Sequence, residues 1–411
     1  MKKSLLPAVV TFWLALTVPL AWAGSLVISQ GAGFSDNTVV APVGGNSGTT
    51  LGQQRSNVFN AAAQHWSSIV QPSLNITISA QFSTLFCDAS GYIIASGGST
   101  GSDKDFAGAP YASTWYPRAL RNHLAPGSAI AGAAITITAN SKIGTDPACM
   151  TGASWYYGLD HNPGINQVDL LQIVKHEIGH GLGFITLVDL GSGAKSGGFD
   201  DVFMKFLRDH SLNKWWPVMS NAERVSSAID SGDLVWTGSN VQHVKSALTS
   251  GFKSGTNYPL LYAPTTLING TSVSHWNTNV TYSGAKHELM EHLPNEPFDM
   301  ALTVALLRDI GWSTATYDFD GDSVADHLDA WPHKNAAAAD TDGDGKADAW
   351  LAGSGCSGNT CSSLTLDWDD DNDGVVDTVD AAPLDAGNVT ESNLPLDGTY
   401  SGMRYHSNRT Q

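Results

Sequence analysis

Positive charge is scarce in this 411-residue chain: 21 Lys and Arg stand against 39 Asp and Glu, a formal net charge of −18. A protein that grips nucleic acid or an anionic membrane surface needs a basic face to displace counterions, so this balance argues against both partners. Long apolar runs are missing as well: beyond residue 23 no stretch is long and apolar enough to span a bilayer. Cysteine is rare, with four in all and no C-x-x-C pair, which argues against a cysteine-ligated metal. Charged residues make up only 15% of the chain and hydrophobic ones 42%, enough for a sizeable buried core and unlike a disordered protein.

The strongly apolar segment is at the start. Residues 1–23 combine basic Lys2 and Lys3, an apolar stretch over 5–20, and the small-x-small ending Ala21-Trp22-Ala23, which reads as a cleavable secretory signal. Pro7, Pro19 and the Ala-x-Ala site weigh against an uncleaved membrane anchor. A secreted chain meets an oxidising compartment, where four cysteines form two disulfides. Of the three possible pairings the spacing favours Cys87 with Cys149 and Cys356 with Cys361. The first bridge would close a long loop, worth about 4 kcal/mol in the chain-entropy model.

Periodicity divides the rest of the chain. Residues 24–52, rich in Gly, Ser, Asn and Thr, read as strands and loops. Val58, Ala61, Ala62, His65, Trp66 and Ile69 then recur at helical spacing until Pro72. Leu74, Ile76, Ile78, Ala80 and Phe82 alternate as in a half-buried strand, and 131–139 is a second strand candidate. Further helices are expected over 169–181, 201–209, 221–229 and 299–310, the last ended by Gly311, with Leu234-Val235-Trp236 as a strand. After Trp312 the composition shifts abruptly to Asp, Gly and Ala, which sets an expected domain boundary there.

The chemistry concentrates in His176-Glu177-Ile178-Gly179-His180. Residues four apart share a helix face, so His176 and His180 can offer imidazole nitrogens to one metal ion. Leu171, Val174 and Ile178 fall about 160° to 220° around from His176 at 100° per residue, so such a helix can bury one face and present the other. Glu177 stands beside the first histidine, placed to act as general base on a water activated by zinc, without being a ligand itself. This is the chemistry of peptide hydrolysis without a covalent intermediate.

The motif resembles that of the metzincin peptidases, in which H-E-x-x-H-x-x-G-x-x-H supplies the third ligand six residues after the second histidine. Gly183 matches, but the third-ligand position holds Thr186. One subgroup, the leishmanolysin-like peptidases, carries a long insertion before the third histidine and a methionine turn soon after it. Ser274-His275-Trp276 and then Glu288-Leu289-Met290 look like that arrangement. The resemblance implies His275 as third zinc ligand, Met290 as the methionine beneath the metal, and 187–273 as an insertion that shapes the cleft. His287, Glu291 and His292 remain rival ligands, as does Glu223 in a thermolysin-like pattern. Metzincins bind an extended peptide against an edge strand above the active-site helix, and the resemblance implies 131–139 as that edge.

Three acidic segments share one pattern. Asp318, Asp320 and Asp322 continue to Asp326 and Asp329; Asp340, Asp342 and Asp344 continue to Asp348; Asp369, Asp371 and Asp373 continue to Asp377 and Asp380. Carboxylates at alternate positions of a tight loop converge on one hard cation, which suits calcium. Positions 1, 3, 5 and 12 resemble an EF-hand loop, but the flanking helices are missing and position 12 of the second repeat is Leu351. Pro332 and Pro383, each three residues after the last Asp of its repeat, make the segment resemble the thrombospondin type 3 repeats, which fold around calcium instead of an apolar core.

The sequence therefore leads to four expected segments: a signal over 1–23, an α+β zinc peptidase domain over 24–312, a calcium-binding repeat stalk over 313–387, and a tail over 388–411 without an interpretable pattern. The expected activity is that of a secreted zinc endopeptidase acting on protein or peptide substrates, with cell-surface or matrix contact through the acidic repeats. The alternative is a secreted calcium-binding adhesion or binding protein whose zinc site is structural or vestigial.

Overall fold

The structure, a computed structural model, describes residues 24–245, 248–282, 285–294, 297–314 and 317–387. The expected signal over 1–23 and the tail over 388–411 lie outside the described residues.

The architecture is α+β. Helix α1 (Leu51–Val70) starts where Thr50 and Gln53 form a reciprocal capping box and stops at Gln71, which adopts a left-handed φ of 39° just before Pro72. Its apolar stripe of Val58, Phe59, Ala62, Trp66 and Ile69 is buried. Beside it lies a four-stranded sheet ordered β1 (Leu26–Gln30), β2 (Ile76–Ser83), β4 (Ile135–Asn140) and β3 (Ala95–Ser99). The first three strands run parallel, with Leu26 opposite Ile76 and Ile78 opposite Ile135. β3 closes the edge antiparallel, with Ala95 opposite Ala139. The alternation read from Ile76, Ile78, Ala80 and Phe82 is the alternation of burial along β2.

The edge is therefore not at 131–139, where the family resemblance implied it. That segment becomes β4, an interior strand, and the exposed edge is the Ala-Ser-Gly-Gly-Ser of β3. Alternating apolar residues mark a strand buried by neighbours, whereas β3 is defined by the side chains it lacks.

After the short helix α2 (Arg118–Leu124) comes α3 (Leu170–Leu182), wedged between α1 and the sheet. Asp169 caps it by accepting from Leu171 N–H at 2.9 Å, and Trp66 of α1 donates to the Lys175 carbonyl at 2.8 Å. Instead of one buried face, nearly the whole helix is buried, with His176 the half-buried exception.

The segment expected as a helix over 201–209 breaks into three pieces: a bridge at Asp200–Asp201, a 3-10 turn at Met204–Phe206 and a strand at Leu207–Asp209. The buried Asp201 carboxylate accepts from the N–H groups of Leu187 and Met204, both at 2.7 Å, and from the Thr186 hydroxyl at 2.9 Å. A side chain that takes up local backbone donors competes with the helix ladder. The strand pairs antiparallel with Leu234–Trp236, and Phe206 stacks on Trp236 at 5.1 Å. Helix α4 (Asn221–Ser227), capped by Ser220 and Glu223, and α5 (Ser239–Val244) complete this region.

Four short strands come next in the order β5 (Leu248–Ser250), β6 (Thr281–Tyr282), β7 (His287–Glu288) and β8 (Phe298–Asp299), then α6 (Ala301–Ile310). One core runs from Leu26 to Trp312, with Tyr317 and Phe319 packed against it. A smaller cluster of Ala336, Ala337, Ala347 and Leu364 gathers Trp331, Trp350 and Leu366 around it. Both expected disulfides are present, and the first ties Cys87, on a hairpin with Gly91–Tyr92, to Cys149. Among the described residues no helix is long and apolar enough to cross a membrane.

Candidate metal centre

α3 carries His176 and His180 one turn apart, and residues from 262 to 292 bring a third imidazole to them. His275 is fixed on both sides by backbone bonds. Its carbonyl accepts from Tyr262 N–H at 2.8 Å, and the next residue, Trp276, donates to the Met290 carbonyl at 2.9 Å. Two residues earlier Val273, fully buried, holds a φ of +70°, a conformation that β-branched residues rarely adopt. The Nε2 atoms form a triangle: 3.1 Å from His176 to His275, 3.1 Å from His176 to His180, and 3.2 Å from His180 to His275.

The other ring nitrogens decide what that triangle is. His176 Nδ1 contacts the Leu289 carbonyl at 2.9 Å, His180 Nδ1 the Phe184 carbonyl at 2.8 Å, and His275 Nδ1 the Thr271 carbonyl at 2.7 Å. A carbonyl only accepts, so each Nδ1 carries the proton and each Nε2 presents a lone pair. Burial pushes the imidazoles down, His176 to about 3, His180 to about 4 and His275 well below its ordinary range, with the neighbouring rings adding to the effect at His176 and His275. Three neutral acceptors thus face one another with no donor among them. These three histidines can hold one metal ion.

Met290 packs beneath this group. It is fully buried, and a Cβ on Gly179, between the two helical histidines, would stand 2.5 Å from its sulfur. Glu288, two residues earlier, accepts from the Thr303 N–H at 2.9 Å, from the Thr303 hydroxyl and from the Tyr282 hydroxyl, which fixes the segment to the start of α6. Burial pushes the Glu288 carboxyl up to about 8.

Glu177 turns away from the triangle's backbone supports toward β3. A Cβ on Gly97 would stand 2.6 Å from Glu177 Cβ and 2.7 Å from its carbonyl oxygen, so only glycine admits this approach of strand to helix. Burial pushes the Glu177 carboxyl up to about 8, against a smaller opposing pull from the Gly97 backbone N–H. Strand β3 and these glycines lie outside what periodicity can find. The signal available was the Gly97-Gly98 pair itself.

The triangle opens into a cleft of about 870 Å³ between β3 and the hairpin at 91–92 on one side and residues 185–191, 269–272 and 291–294 on the other. Among the described residues its lining includes no Lys or Arg, while Tyr92, Ile94, Ile173, Leu190 and Leu293 supply apolar surface and Asp189, Glu177 and Glu291 are acidic. The rival ligands sit elsewhere. Glu223 caps α4 and pairs with Lys214, and His287 Nδ1 meets Glu291 at 3.2 Å. His292 lines the cleft but stacks on Tyr262 at 4.0 Å, outside the triangle. Thr186 lies beside the centre, its hydroxyl bound to Asp201 and its N–H donating to Ser274 Oγ at 3.3 Å.

Compared with known protein families, with curated proteins and with solved structures, the chain shows no match.

The acidic segments form three loops of one design. In each, the first Asp accepts through one oxygen from a backbone N–H five residues on: Ser323 to Asp318 at 2.9 Å, Gly345 to Asp340 at 3.0 Å, Gly374 to Asp369 at 3.0 Å. The ninth-position Asp326, Asp348 and Asp377 reach back to the N–H of the second position, at 2.7, 3.1 and 2.8 Å. Carboxylate oxygens of 318, 320 and 322, of 340, 342 and 344, and of 369, 371 and 373 converge so that each trio can hold a metal ion.

The loops are not equal. In the first, Asp320, Asp322 and Asp329 each bury one oxygen without a partner, and in the third Asp371, Asp373 and Asp380 do the same. In the second, Lys346 neutralises Asp344 and position 12 is Leu351.

Proposed function

We propose that this chain is a secreted zinc-dependent endopeptidase of the metzincin type, with calcium-binding loops after its catalytic domain. The observation that carries the zinc reading is the triangle of Nε2 lone pairs, each aimed inward by an Nδ1–H to carbonyl bond. With zinc–nitrogen bonds of about 2.0–2.1 Å, tetrahedral ligands stand about 3.3 Å apart, and the 3.1–3.2 Å edges fit that spacing with a fourth position left open. When bound, zinc supplies Lewis acidity, polarising a substrate carbonyl and making water acidic near neutral pH.

The chain's own groups do the rest. Burial alone raises the Glu177 carboxyl, but a zinc ion beside it would favour the carboxylate, which, facing the cleft next to His176, accepts the proton of the attacking water and returns it to the leaving amine. β3 is the outer strand of its sheet and lines the cleft, where an extended peptide adds as a further strand. The carbonyls of Leu289, Phe184 and Thr271 hold the imidazole tautomers and orientation, as outer partners of metal ligands do. Secretion is supported by the signal-like start and by both disulfides. The calcium reading rests on the buried, unpartnered oxygens of the first and third loops, since such carboxylates are costly without a counter-charge.

Zinc content and casein hydrolysis of the purified chain, beside Glu177→Gln and His275→Ala, test the proposal. Wild type is expected to hold about one zinc and cleave, Glu177→Gln to keep zinc and lose about 10²- to 10⁴-fold in rate, and His275→Ala to lose zinc. Zinc without cleavage would replace the peptidase with a binding protein carrying a structural zinc. No zinc in wild type would end the reading altogether.

A further inference from the structure

The first acidic loop differs from the other two in what it leans on. Tyr317 and Phe319 at its entrance pack against the large core, whereas Ala347 of the second loop belongs to the smaller cluster. Its cation pocket is also more than a group of acids: Asp329, 1% exposed, keeps a buried oxygen without a partner beside the trio of Asp318, Asp320 and Asp322. Burial, followed by the repulsion of Asp322, Asp320 and Asp318, pushes the Asp329 carboxyl up to about 7.

From this loop a continuous set of contacts reaches the histidine triangle. The carbonyls of Asp326 and Asp329 both accept from His243 Nε2 of α5, at 2.9 and 2.7 Å. Asp326 N–H donates to the Tyr317 carbonyl at 2.9 Å, and the Tyr317 hydroxyl donates to Asp299 Oδ1 at 3.1 Å. Phe319 lies against Tyr282 at 5.5 Å, and the Tyr282 hydroxyl donates to Glu288. The Asp299 carbonyl accepts from Leu289 N–H at 2.8 Å, and the Leu289 carbonyl accepts the proton of His176 at 2.9 Å. The strand pair β7 and β8 thus stands between the acidic loop and the first histidine.

We propose that a calcium ion in the first loop positions the Glu288–Met290 segment through Tyr317, Phe319 and Asp299, so that zinc retention at the histidine triangle depends on this loop and not on the third. The proposal rests on the zinc and calcium readings above. Without a cation, Asp318, Asp320, Asp322 and Asp329 repel one another, and the loop that holds Tyr317 and Phe319 against the core loosens. The Leu289 carbonyl then holds His176 less firmly, and an outer partner of a metal ligand is worth about 10- to 100-fold in affinity.

The test measures zinc release from the full chain to a colorimetric chelator, in calcium-free buffer and in 1 mM CaCl₂, with calcium stoichiometry determined in parallel. Calcium is expected to slow zinc release in wild type about 10-fold or more. Asp329→Asn is expected to lose one bound calcium and this effect together, while Asp380→Asn, at the same position of the third loop, loses one calcium and keeps the effect. Should Asp329→Asn fail to fold, Tyr317→Phe serves instead, with calcium stoichiometry intact and the calcium effect reduced several-fold. Zinc release indifferent to calcium in wild type, or an effect lost equally in Asp380→Asn, overturns the proposal. If wild type takes up no zinc, the zinc reading itself has failed, and hydrogen exchange over residues 286–292 decides alone. Protection gained with CaCl₂ in wild type but not in Asp329→Asn upholds the coupling, and no change overturns it.

Discussion

The histidine triangle and the acidic loops are both gatherings of acceptors, but they are held in opposite ways. The triangle's members come from α3 and from a segment 99 residues away, and each ring is aimed by a backbone carbonyl while the core closes around it. The loops take their carboxylates from about a dozen consecutive residues and hold them with their own backbone N–H groups. The first site is assembled by the fold from neutral rings, so its members do not repel one another when no zinc lies between them. The second is charged, local and built with little apolar core, so its compactness depends on a counter-charge.

The largest effect should come from crowding the assembled site. Gly97→Ala places a methyl group 2.7 Å from the Glu177 carbonyl, and neither β3 nor α3 can retreat without leaving the core. The expected cost is about 1–3 kcal/mol of stability. Casein hydrolysis should fall about 100-fold with zinc retained, because a shift of about 1 Å at a catalytic group has that effect. Gly343→Ala, in the second loop, meets open space at a φ of +77° and should cost only about 1 kcal/mol. Thermal melts of both variants, with activity for the first, check the contrast; equal melting shifts would break it.

A second way to sharpen the comparison uses pH. Glu288, buried behind the triangle, has its carboxyl raised to about 8 from an ordinary value of 4.5. The folded state therefore binds the proton more tightly than the unfolded one, and between those values stability falls as pH rises, by up to about 1.4 kcal/mol per pH unit. Glu288→Gln should flatten this slope in denaturant melts from pH 5 to 8. A slope unchanged by the substitution would place the titration elsewhere. Asp329 and Asp326, raised to about 7, act in the same direction in calcium-free buffer, and saturating calcium should suppress their share.

The same contrast explains how much of the molecule was legible in its sequence. In the acidic loops the convergence of the first, third and fifth Asp was legible, because those carboxylates fall within one short window. Helix α3 was legible from the four-residue spacing of His176 and His180, which its turns place on one face. The meeting with His275 was not available to periodicity at all; only a family resemblance pointed across the intervening chain. Strand β3 escaped because its fitness lies in missing side chains, and 131–139 was given the edge by the family resemblance, although its alternation does not tell an edge strand from an interior one. The segment 201–209 misled for a different reason: its apolar spacing suits a helix, but Asp201 takes the backbone donors of Leu187 and Met204 and forces a turn. Long-range convergence and local side-chain competition are the two things a one-dimensional pattern cannot weigh.

The smallest effect expected is also the most direct test of what a loop needs. The second loop has the first-position hydrogen bonds of its neighbours, with Gly343 and Gly345 N–H on Asp340 at 2.8 and 3.0 Å, yet it lacks the twelfth carboxylate and pairs Asp344 with Lys346. If backbone design alone made a calcium site, all three loops would fill. If the buried, unpartnered oxygens do, wild type should bind two calcium ions tightly, in the first and third loops, and the double variant Leu351→Asp with Lys346→Ala should bind a third. Because the second loop leans on Ala347 and the small cluster, this gain should leave zinc release unaltered and raise the melting temperature by only a few degrees in calcium, about 1 kcal/mol. Calorimetric titration with CaCl₂ counts the sites: three in wild type, or two in the double variant, would show that the loops do not differ as their orphaned oxygens indicate.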